Sequence, residues 1–203
     1  GHADYRQRIV QDNARLFAER GVQTLVATSP HCYDMFVNEY PAQDGFRPLH
    51  YTQYLAALIE EERLRFEKPV EKKVTFHDPC YLSRRNAVTE APRQVLAAIP
   101  GLQLVEMPRS QVDTLCCGGG GGRMWMETKV GERFSDLRVR EAIDTGAEVL
   151  VTSCPHCIAC LEDSVKLSGQ DLQVMDLAEL AVSALSPESS PDPAPASAVK
   201  VAR

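Results

Sequence analysis

Hydrophobic positions along the chain alternate between helical and strand spacing. A helical pattern at about Tyr5–Arg20 is followed by a short apolar run, VQTLVAT, at Val22–Thr28, which predicts a buried strand. KKVTFH (Lys72–His77) and EVLVT (Glu148–Thr152) predict two more strands. Strands separated by helices indicate a parallel sheet covered by helices, so the predicted fold class is α/β.

The remaining segments continue this alternation. Helices are predicted from Pro30 to about Glu39 and at Gln53–Arg65, Pro92–Ile99, Glu132–Thr145, Pro155–Lys166 and Leu177–Leu185, and strands at Arg47–His50, Leu102–Glu106 and Gln173–Met175.

An internal repeat relates the two ends of the chain. QTLVATSPHC, from residue 23, lies over EVLVTSCPHC, from residue 148, when the chain is shifted by their difference of 125 positions. Such a repeat indicates duplication of one supersecondary unit. We therefore predict two Rossmann-like lobes with parallel sheets. Residues 1–68 form the back part of a truncated first module, and residues 69–185 form a complete second module.

Composition narrows the classes of partner. The net charge is −6 and no basic patch stands out, so neither nucleic acid nor anionic lipid is an expected partner. No run reaches the roughly 18 apolar residues of a membrane span, and the first residues lack the pattern of a signal peptide. We expect a cytoplasmic location and no direct membrane insertion by this segment. The Pro- and Ser-rich residues 186–203 predict a disordered tail.

The seven cysteines carry the candidate chemistry. Their odd number and clustering argue against a secreted disulfide scaffold and favour metal or redox chemistry in a reducing compartment. With 35 residues between the first and second positions and 36 between the third and fourth, five of them follow the pattern C-x35-CC-x36-C-x2-C. This five-cysteine set consists of Cys80, Cys116, Cys117, Cys154 and Cys157.

The adjacent pair favours an iron–sulfur centre over zinc. Neighbouring thiolates do not easily occupy two corners of one tetrahedral zinc site, and five thiolates exceed the four that structural zinc takes. Cys80 and Cys154 each follow a predicted strand, at the sheet edge where open α/β folds bind ligands. Two alternatives stay open. One is a non-redox structural zinc domain using Cys80, Cys154, Cys157 and one of the pair, and the other is a disulfide-exchange enzyme using Cys154 and Cys157.

Several neighbours of the set are candidates for a supporting role. Gly118 and Gly119 begin a run of five glycines that lets backbone amides approach sulfur, although a merely flexible loop is the alternative. His77 and His156 are candidates to donate to sulfur or to move protons, or else are structural histidines. Arg123 is a candidate to offset the negative charge of a cluster, or is an ordinary surface residue.

Four segments resemble the cysteine-rich CCG domain of the heterodisulfide-reductase-related iron–sulfur oxidoreductases. This family includes the B or D subunit of heterodisulfide reductase and electron-transfer proteins of lactate, glycerol-3-phosphate, sulfur and flavoprotein–quinone pathways. The resemblance covers nearly all of Tyr5–Leu185. It rests on HDPCYLSR (His77–Arg84), EAPRQVL (Glu90–Leu96), CCGGGGGRMW (Cys116–Trp125) and TSCPHC (Thr152–Cys157).

The resemblance implies that the chain is part of an oxidoreductase. Members of the family usually carry two CCG modules, often after a ferredoxin-like segment and sometimes with membrane helices. By resemblance, the five-cysteine set holds one [4Fe-4S] cluster, which is noncubane in heterodisulfide reductase, and electrons pass to a quinone, another cluster or a disulfide. The implied partners are a redox protein or ferredoxin-like domain, a flavoprotein or a quinone. A missing N-terminal part would place the chain at the cytoplasmic face of a membrane.

Two departures from the family pattern limit this transfer. The first repeat reads Ser29-Pro30-His31-Cys32 where the family pattern has C-P-H-C, and its earlier cysteines are absent, so Cys32 alone cannot hold a cluster. Cys160 lies one helical turn beyond Cys157 and outside the pattern. A buried helix thiol is its expected role, with a ligand or exchange thiol as the alternative.

Overall fold

The computed structural model describes residues 2–42, 45–129 and 131–186. Helices and strands alternate along the chain as the hydrophobic pattern predicts. In chain order they are α1 Ala3–Glu19, β1 Thr24–Ala27, α2 Pro30–Asn38, β2 Arg47–His50, α3 Tyr51–Glu60, β3 Lys73–His77, α4 Glu90–Ala97, β4 Gln103–Leu104, α5 Phe134–Asp144, β5 Val149–Thr152, α6 Pro155–Ser168, β6 Gln173–Asp176 and α7 Leu177–Ser183. Short 3-10 turns cover Gln111–Asp113 and Gly120–Trp125.

The described strands form two sheets, and every pairing in them is parallel. β1 pairs with β2, and the second sheet has the order β4-β3-β5-β6. The predicted α/β class with parallel, helix-covered sheets is confirmed. Apart from Ser186, the predicted disordered tail lies outside the described residues.

Two apolar cores cover the faces of the larger sheet. One contains Val74, Phe76 and Val151 with helices α3, α4 and α7, and the other lies beneath α5 and α6 around Leu150 and Leu161. The alternation of strand residues explains this division, because successive side chains of β5 point to opposite faces of the sheet. The second core also contains three cysteines of the five-cysteine set, Cys117, Cys154 and Cys157.

The sequence repeat corresponds to a repeated strand-turn-helix unit. β1 leads into α2 and β5 leads into α6, and each of these helices has a proline at its first position, where a missing N–H costs nothing. The following strands, β2 and β6, each end in an N-cap with a capping box, His50 before α3 and Asp176 before α7. The two units therefore share their local chemistry as well as their order.

Helix α3 differs most from its predicted bounds. The predicted helix at Gln53–Arg65 starts two residues earlier, at Tyr51, because Gln53 completes the His50 capping box. It ends at Glu60, and Glu62 then takes a positive φ of 57°, a conformation that interrupts a right-handed helix. Hydrophobic spacing could not locate this end, since the apolar pattern continues past it.

Candidate metal centre

Two cysteines of the five-cysteine set follow neighbouring strands of the larger sheet. His77 of β3 and Thr152 of β5 are register partners, so the residues after them leave the same edge side by side. Asp78 and Pro79 lead from β3 to Cys80, and Ser153 leads from β5 to Cys154. Cys157 lies in the first turn of α6, three residues after the N-cap Cys154. Three thiols thus reach the carboxyl edge of the sheet.

The loop after β4 brings the adjacent pair to the same edge. Asp78 accepts a hydrogen bond from the backbone N–H of Gln111 at 2.7 Å. Arg84 donates to the backbone carbonyls of Val112, at 3.3 Å, and of Thr114. These contacts hold the loop against the turn after β3 and place Cys116 and Cys117 beside Cys80 and Cys154.

One small cavity brings the five-cysteine set together. All five members line it, together with His31, Pro79, Tyr81, Gly120 and His156. Cys117, Cys154 and Cys157 are 5%, 1% and 3% exposed, whereas Cys80 and Cys116 are half-buried. The five sulfurs predicted from the sequence therefore lie around a single space.

The two adjacent cysteines form hydrogen bonds with different thiols. Cys80 pairs with Cys116, and this hydrogen bond together with burial raises the pKa of the Cys80 thiol. Cys157 lies between Cys117 and Cys154, and its hydrogen bonds with them raise its pKa. The pKa of Cys154 is lowered because the Cys157 thiol donates to it. A metal that binds here must displace the protons of the thiols whose pKa is raised.

The first two glycines of the run contact the sulfurs. The backbone N–H of Gly118, whose φ is 81°, donates to Cys116 Sγ at 3.3 Å. A Cβ on Gly119 would lie 2.8 Å from Cys160 Sγ and 3.7 Å from Cys117 Sγ. The backbone therefore approaches sulfur at both positions, more closely than a side chain would allow at Gly119.

The other predicted supporting residues, His77, His156 and Arg123, differ in their position relative to the cavity. A ring nitrogen of His77 and the sulfurs of Cys117 and Cys157 all lie within 4.8 Å of one another. His156 is exposed and lines the cavity. Arg123 does not line it. It lies in a neighbouring pocket that shares Cys117 with the cavity and is also lined by Cys160, so the structure places Arg123 beside the cavity and not in its wall.

Cys32 and Cys160 have different positions. Cys32 is exposed and lies in a separate apolar groove with Tyr5 and Phe36, where it does not line the cavity of the five-cysteine set. Cys160 is half-buried and hydrogen-bonds to Cys117, which lowers the pKa of the Cys160 thiol. It is therefore a sixth sulfur next to the set.

Sequence reasoning missed two residues that shape the site. His31, from the first repeat, packs against Tyr81 with ring centroids 4.2 Å apart and against His156 at 4.9 Å, edge to face. The repeat was the signal that could have found His31, because it matches His156 of the second copy. Arg138 is fully buried and donates to His77 Nδ1 at 3.0 Å. No local pattern distinguishes it from Arg140, the other arginine of its helix.

Comparison with known protein families agrees with this geometry. The model of the CCG cysteine-rich domain matches residues 1–37 and 74–162. The chain belongs to the CCG cysteine-rich domain family. The matched segments contain both copies of the repeat and all five members of the five-cysteine set, and the resemblance predicted from the motifs is confirmed.

The relatives of this CCG domain include named iron–sulfur and electron-transfer proteins. It is 41% identical over 178 residues to a probable iron-sulfur-binding oxidoreductase, FadF, of Bacillus subtilis, covering 86% of the chain and 25% of the relative. It is 36% identical over 184 residues to EtfAB:quinone oxidoreductase of Syntrophomonas wolfei, covering 86% and 26%. It is 34% identical over 186 residues to the D subunit of dihydromethanophenazine:CoB–CoM heterodisulfide reductase of Methanosarcina barkeri, covering 90% and 46%.

The chain thus spans between a quarter and just under half of the length of these relatives. The names of these relatives describe iron–sulfur and oxidoreductase proteins. Among the residues that the structure describes, no helix combines the length and apolar character needed to cross a membrane.

Proposed function

We propose that this CCG domain holds one [4Fe-4S] cluster through the five-cysteine set and carries electrons for an oxidoreductase. The observation that carries the proposal is the cavity whose wall contains all five thiols. Five sulfurs from three separate parts of the chain line it, and three of them are buried in an apolar core, an arrangement that a shared ligand explains. A polynuclear cluster accommodates them, because it offers several irons to the adjacent pair.

The chemistry of the donor set fits such a group. Cys116 and Cys117 hydrogen-bond to different thiols, Cys80 and Cys157, so the pair spans the cavity and does not point to one spot. The Gly118 N–H already donates to sulfur, as backbone amides do around iron–sulfur clusters. The noncubane form is part of the proposal, because five thiolates exceed the four of an ordinary [4Fe-4S] cluster.

When bound, the cluster would supply one-electron transfer. The chain's own residues bury three of the sulfurs and leave Cys80 and Cys116 half-exposed beside Tyr81, His31 and His156. We propose this side as the place where electrons enter or leave. A quinone, a second cluster and a disulfide are the candidate acceptors, and the names of the relatives, which include a quinone oxidoreductase and a heterodisulfide reductase, support a quinone and a disulfide. A flavoprotein or ferredoxin-like partner and a cytoplasmic location are part of the same proposal.

The test is anoxic reconstitution of single cysteine variants. Cys117→Ala should lose most of the iron and sulfide and the electron paramagnetic resonance signal of the reduced wild type, because it removes a buried sulfur in the middle of the hydrogen-bonded thiols. Cys32→Ala is the matched control, since its thiol lies in another groove. Undiminished iron and sulfide in Cys117→Ala would refute the proposed ligand set.

A structural zinc site is the second candidate function. The cluster of His77, Cys117 and Cys157 favours it, because their ligand atoms lie within 4.8 Å of one another. Zinc bound by these three residues would leave Cys80 and Cys116 without a metal role, unlike the zinc site that the spacing predicts, which uses Cys80, Cys154, Cys157 and one of the pair. Metal analysis separates the two candidates, because the zinc protein is colourless and contains no labile sulfide, whereas the iron–sulfur protein is brown.

A further inference from the structure

Arg138 is a fully buried cation that holds several parts of the site together. It projects from α5 and is 0% exposed. Its Nη1 donates to the Arg109 carbonyl at 2.6 Å and to Glu141 at 2.8 Å, and its Nη2 donates to Thr114 Oγ1 at 3.3 Å. Thr114 lies two residues before Cys116. The guanidinium therefore fixes the segment that carries the adjacent pair.

The remaining donor of Arg138 determines the chemistry of His77. Arg138 Nε donates to His77 Nδ1 at 3.0 Å. Because arginine carries a proton on each of its nitrogens and cannot accept a hydrogen bond, Nδ1 must be the unprotonated acceptor. The single ring proton of the neutral imidazole then resides on Nε2. The neighbouring guanidinium also rules out an imidazolium, which would have a proton on both nitrogens.

Nε2 of His77 is buried and has no hydrogen-bond partner among the described residues. Unpaired buried N–H groups are rare, because each costs the free energy of its lost hydration. The sulfurs of Cys117 and Cys157 lie within 4.8 Å of a ring nitrogen of His77. A protonated Nε2 here is a donor without an acceptor until a thiolate or a cluster sulfur accepts from it.

We propose that Arg138 is a positioning residue that holds His77 as the Nε2–H tautomer, so that the ring donates a hydrogen bond to the sulfur of Cys117 or Cys157. The inference rests on the proposed function for the identity of the bound group. In this role His77 is a donor to sulfur and not a metal ligand. Histidine residues beside metal sites are commonly held in one tautomer by such a partner. A donated hydrogen bond stabilises the more negative, reduced state and raises the reduction potential.

The first experiment reads the tautomer in the reduced, metal-free chain. Nitrogen-15-labelled histidine allows the two ring nitrogens to be distinguished by magnetic resonance, and the His77→Leu spectrum identifies the signal. The wild type should show Nε2–H. Arg138→Met should add a substantial Nδ1–H population, whereas Arg140→Met, an exposed arginine on the same helix, should match the wild type. Nδ1–H in the wild type would overturn the inference.

The second experiment measures the reduction potential of the reconstituted protein. His77→Leu should keep its iron and sulfide, but its cluster should be harder to reduce. The equilibrium constant for reduction should be about tenfold lower, which corresponds to the loss of a hydrogen bond of roughly 1.4 kcal/mol. An unchanged potential at full iron content would overturn the donor role. Arg138→Lys retains a charged donor and should keep the Nε2–H tautomer. This variant serves as the test if Arg138→Met does not fold.

These readouts separate the inference from the proposed function. A purely structural Arg138 would lower stability and iron content without changing the tautomer of His77, and that result would contradict the inference. If the chain binds no iron, the proposed function is wrong. The tautomer of His77 in the metal-free protein would still test the role of Arg138.

Discussion

A glycine beside the adjacent cysteines leaves room for the sulfurs to lie close together. Gly119 is buried against Cys160 and Cys117, and its φ of −79° is accessible to any residue. Space and not backbone conformation therefore requires glycine at this position. Gly120, the next residue, would have a Cβ with no described heavy atom within 4 Å. The two neighbouring glycines differ in what they contact, although the sequence makes them look equivalent.

Replacing Gly119 with alanine should disturb the sulfurs. Its Cβ would lie 2.8 Å from Cys160 Sγ, so Gly119→Ala should cost about 1–3 kcal/mol of stability, as overpacking does, and lower iron incorporation. Gly120→Ala should keep the stability of the wild type, because its Cβ meets no described heavy atom within 4 Å. Adding Cys160→Ala to Gly119→Ala removes the clashing sulfur and should restore both quantities. Urea denaturation and iron analysis measure them, and equal loss in both glycine variants would contradict the argument.

A buried ion pair ties helix α4 to the turn that carries Cys80. Asp78 is 1% exposed, and its carboxylate accepts two hydrogen bonds from Arg93, at 2.8 and 3.0 Å. Arg93 also donates to Glu106, after β4. The Arg93 guanidinium of α4 therefore connects the turn after β3 with the segment after β4.

Arg93→Met should destabilise the protein strongly. It leaves the Asp78 carboxylate buried without its charge partner, which typically costs about 3–5 kcal/mol. Lys166→Met is a suitable comparison, because its ion pair with Glu162 is exposed and should contribute no more than about 1 kcal/mol. Urea unfolding of the reduced chain measures both, and equal losses would show that burial of the pair is not the source of stability.

The sequence predicts the elements better than the contacts between them. Each strand-turn-helix unit follows from local hydrophobic spacing and from the Pro that starts α2 and α6. The pairing of Asp78 with Arg93 and of His77 with Arg138 spans 15 and 61 residues, so it depends on how the sheet and helices pack. The five-cysteine set was recognisable in advance because thiols are few and their spacing is distinctive, whereas arginines are common on helices.

At the scale of the whole molecule, residues 1–68 and residues 69–185 meet through polar contacts. Buried Asp34 on α2 accepts hydrogen bonds from Arg85 and Asn86, in the segment after Cys80. Tyr51 donates to Asp176 at 2.7 Å. Tyr51 and Phe66 also belong to the core of the larger sheet. The division into residues 1–68 and 69–185 stays a prediction, and these contacts show that the two parts share a core.

The Asp34 contact should make stability depend on pH. Burial raises the pKa of this carboxyl, but the hydrogen bonds from Arg85 and Asn86 outweigh it and lower the pKa below its ordinary value. A lowered pKa in the folded state stabilises the protein above the ordinary carboxyl pKa of about 4, and this contribution is lost as the pH falls through the folded-state value. Asp34→Asn should therefore be less stable than the wild type at pH 7, and the difference should shrink on acidification below about pH 4.

Denaturation midpoints of Asp34→Asn and the wild type across this pH range check the prediction. Asp12→Asn, which removes an exposed pair with Arg15, should show no such pH-dependent difference. A penalty for Asp34→Asn that stays constant down to pH 3 would mean that its charge does not hold the two units together.

In the proposed holoprotein, five sulfurs that are distant in sequence surround one inorganic cluster. Anomalous diffraction at the iron absorption edge, from crystals grown without oxygen, tests this arrangement most directly. We expect a compact group of about four iron peaks in the cavity, in contact with all five members of the five-cysteine set. A single zinc atom there, or iron bound without Cys80 or the adjacent pair, would contradict it.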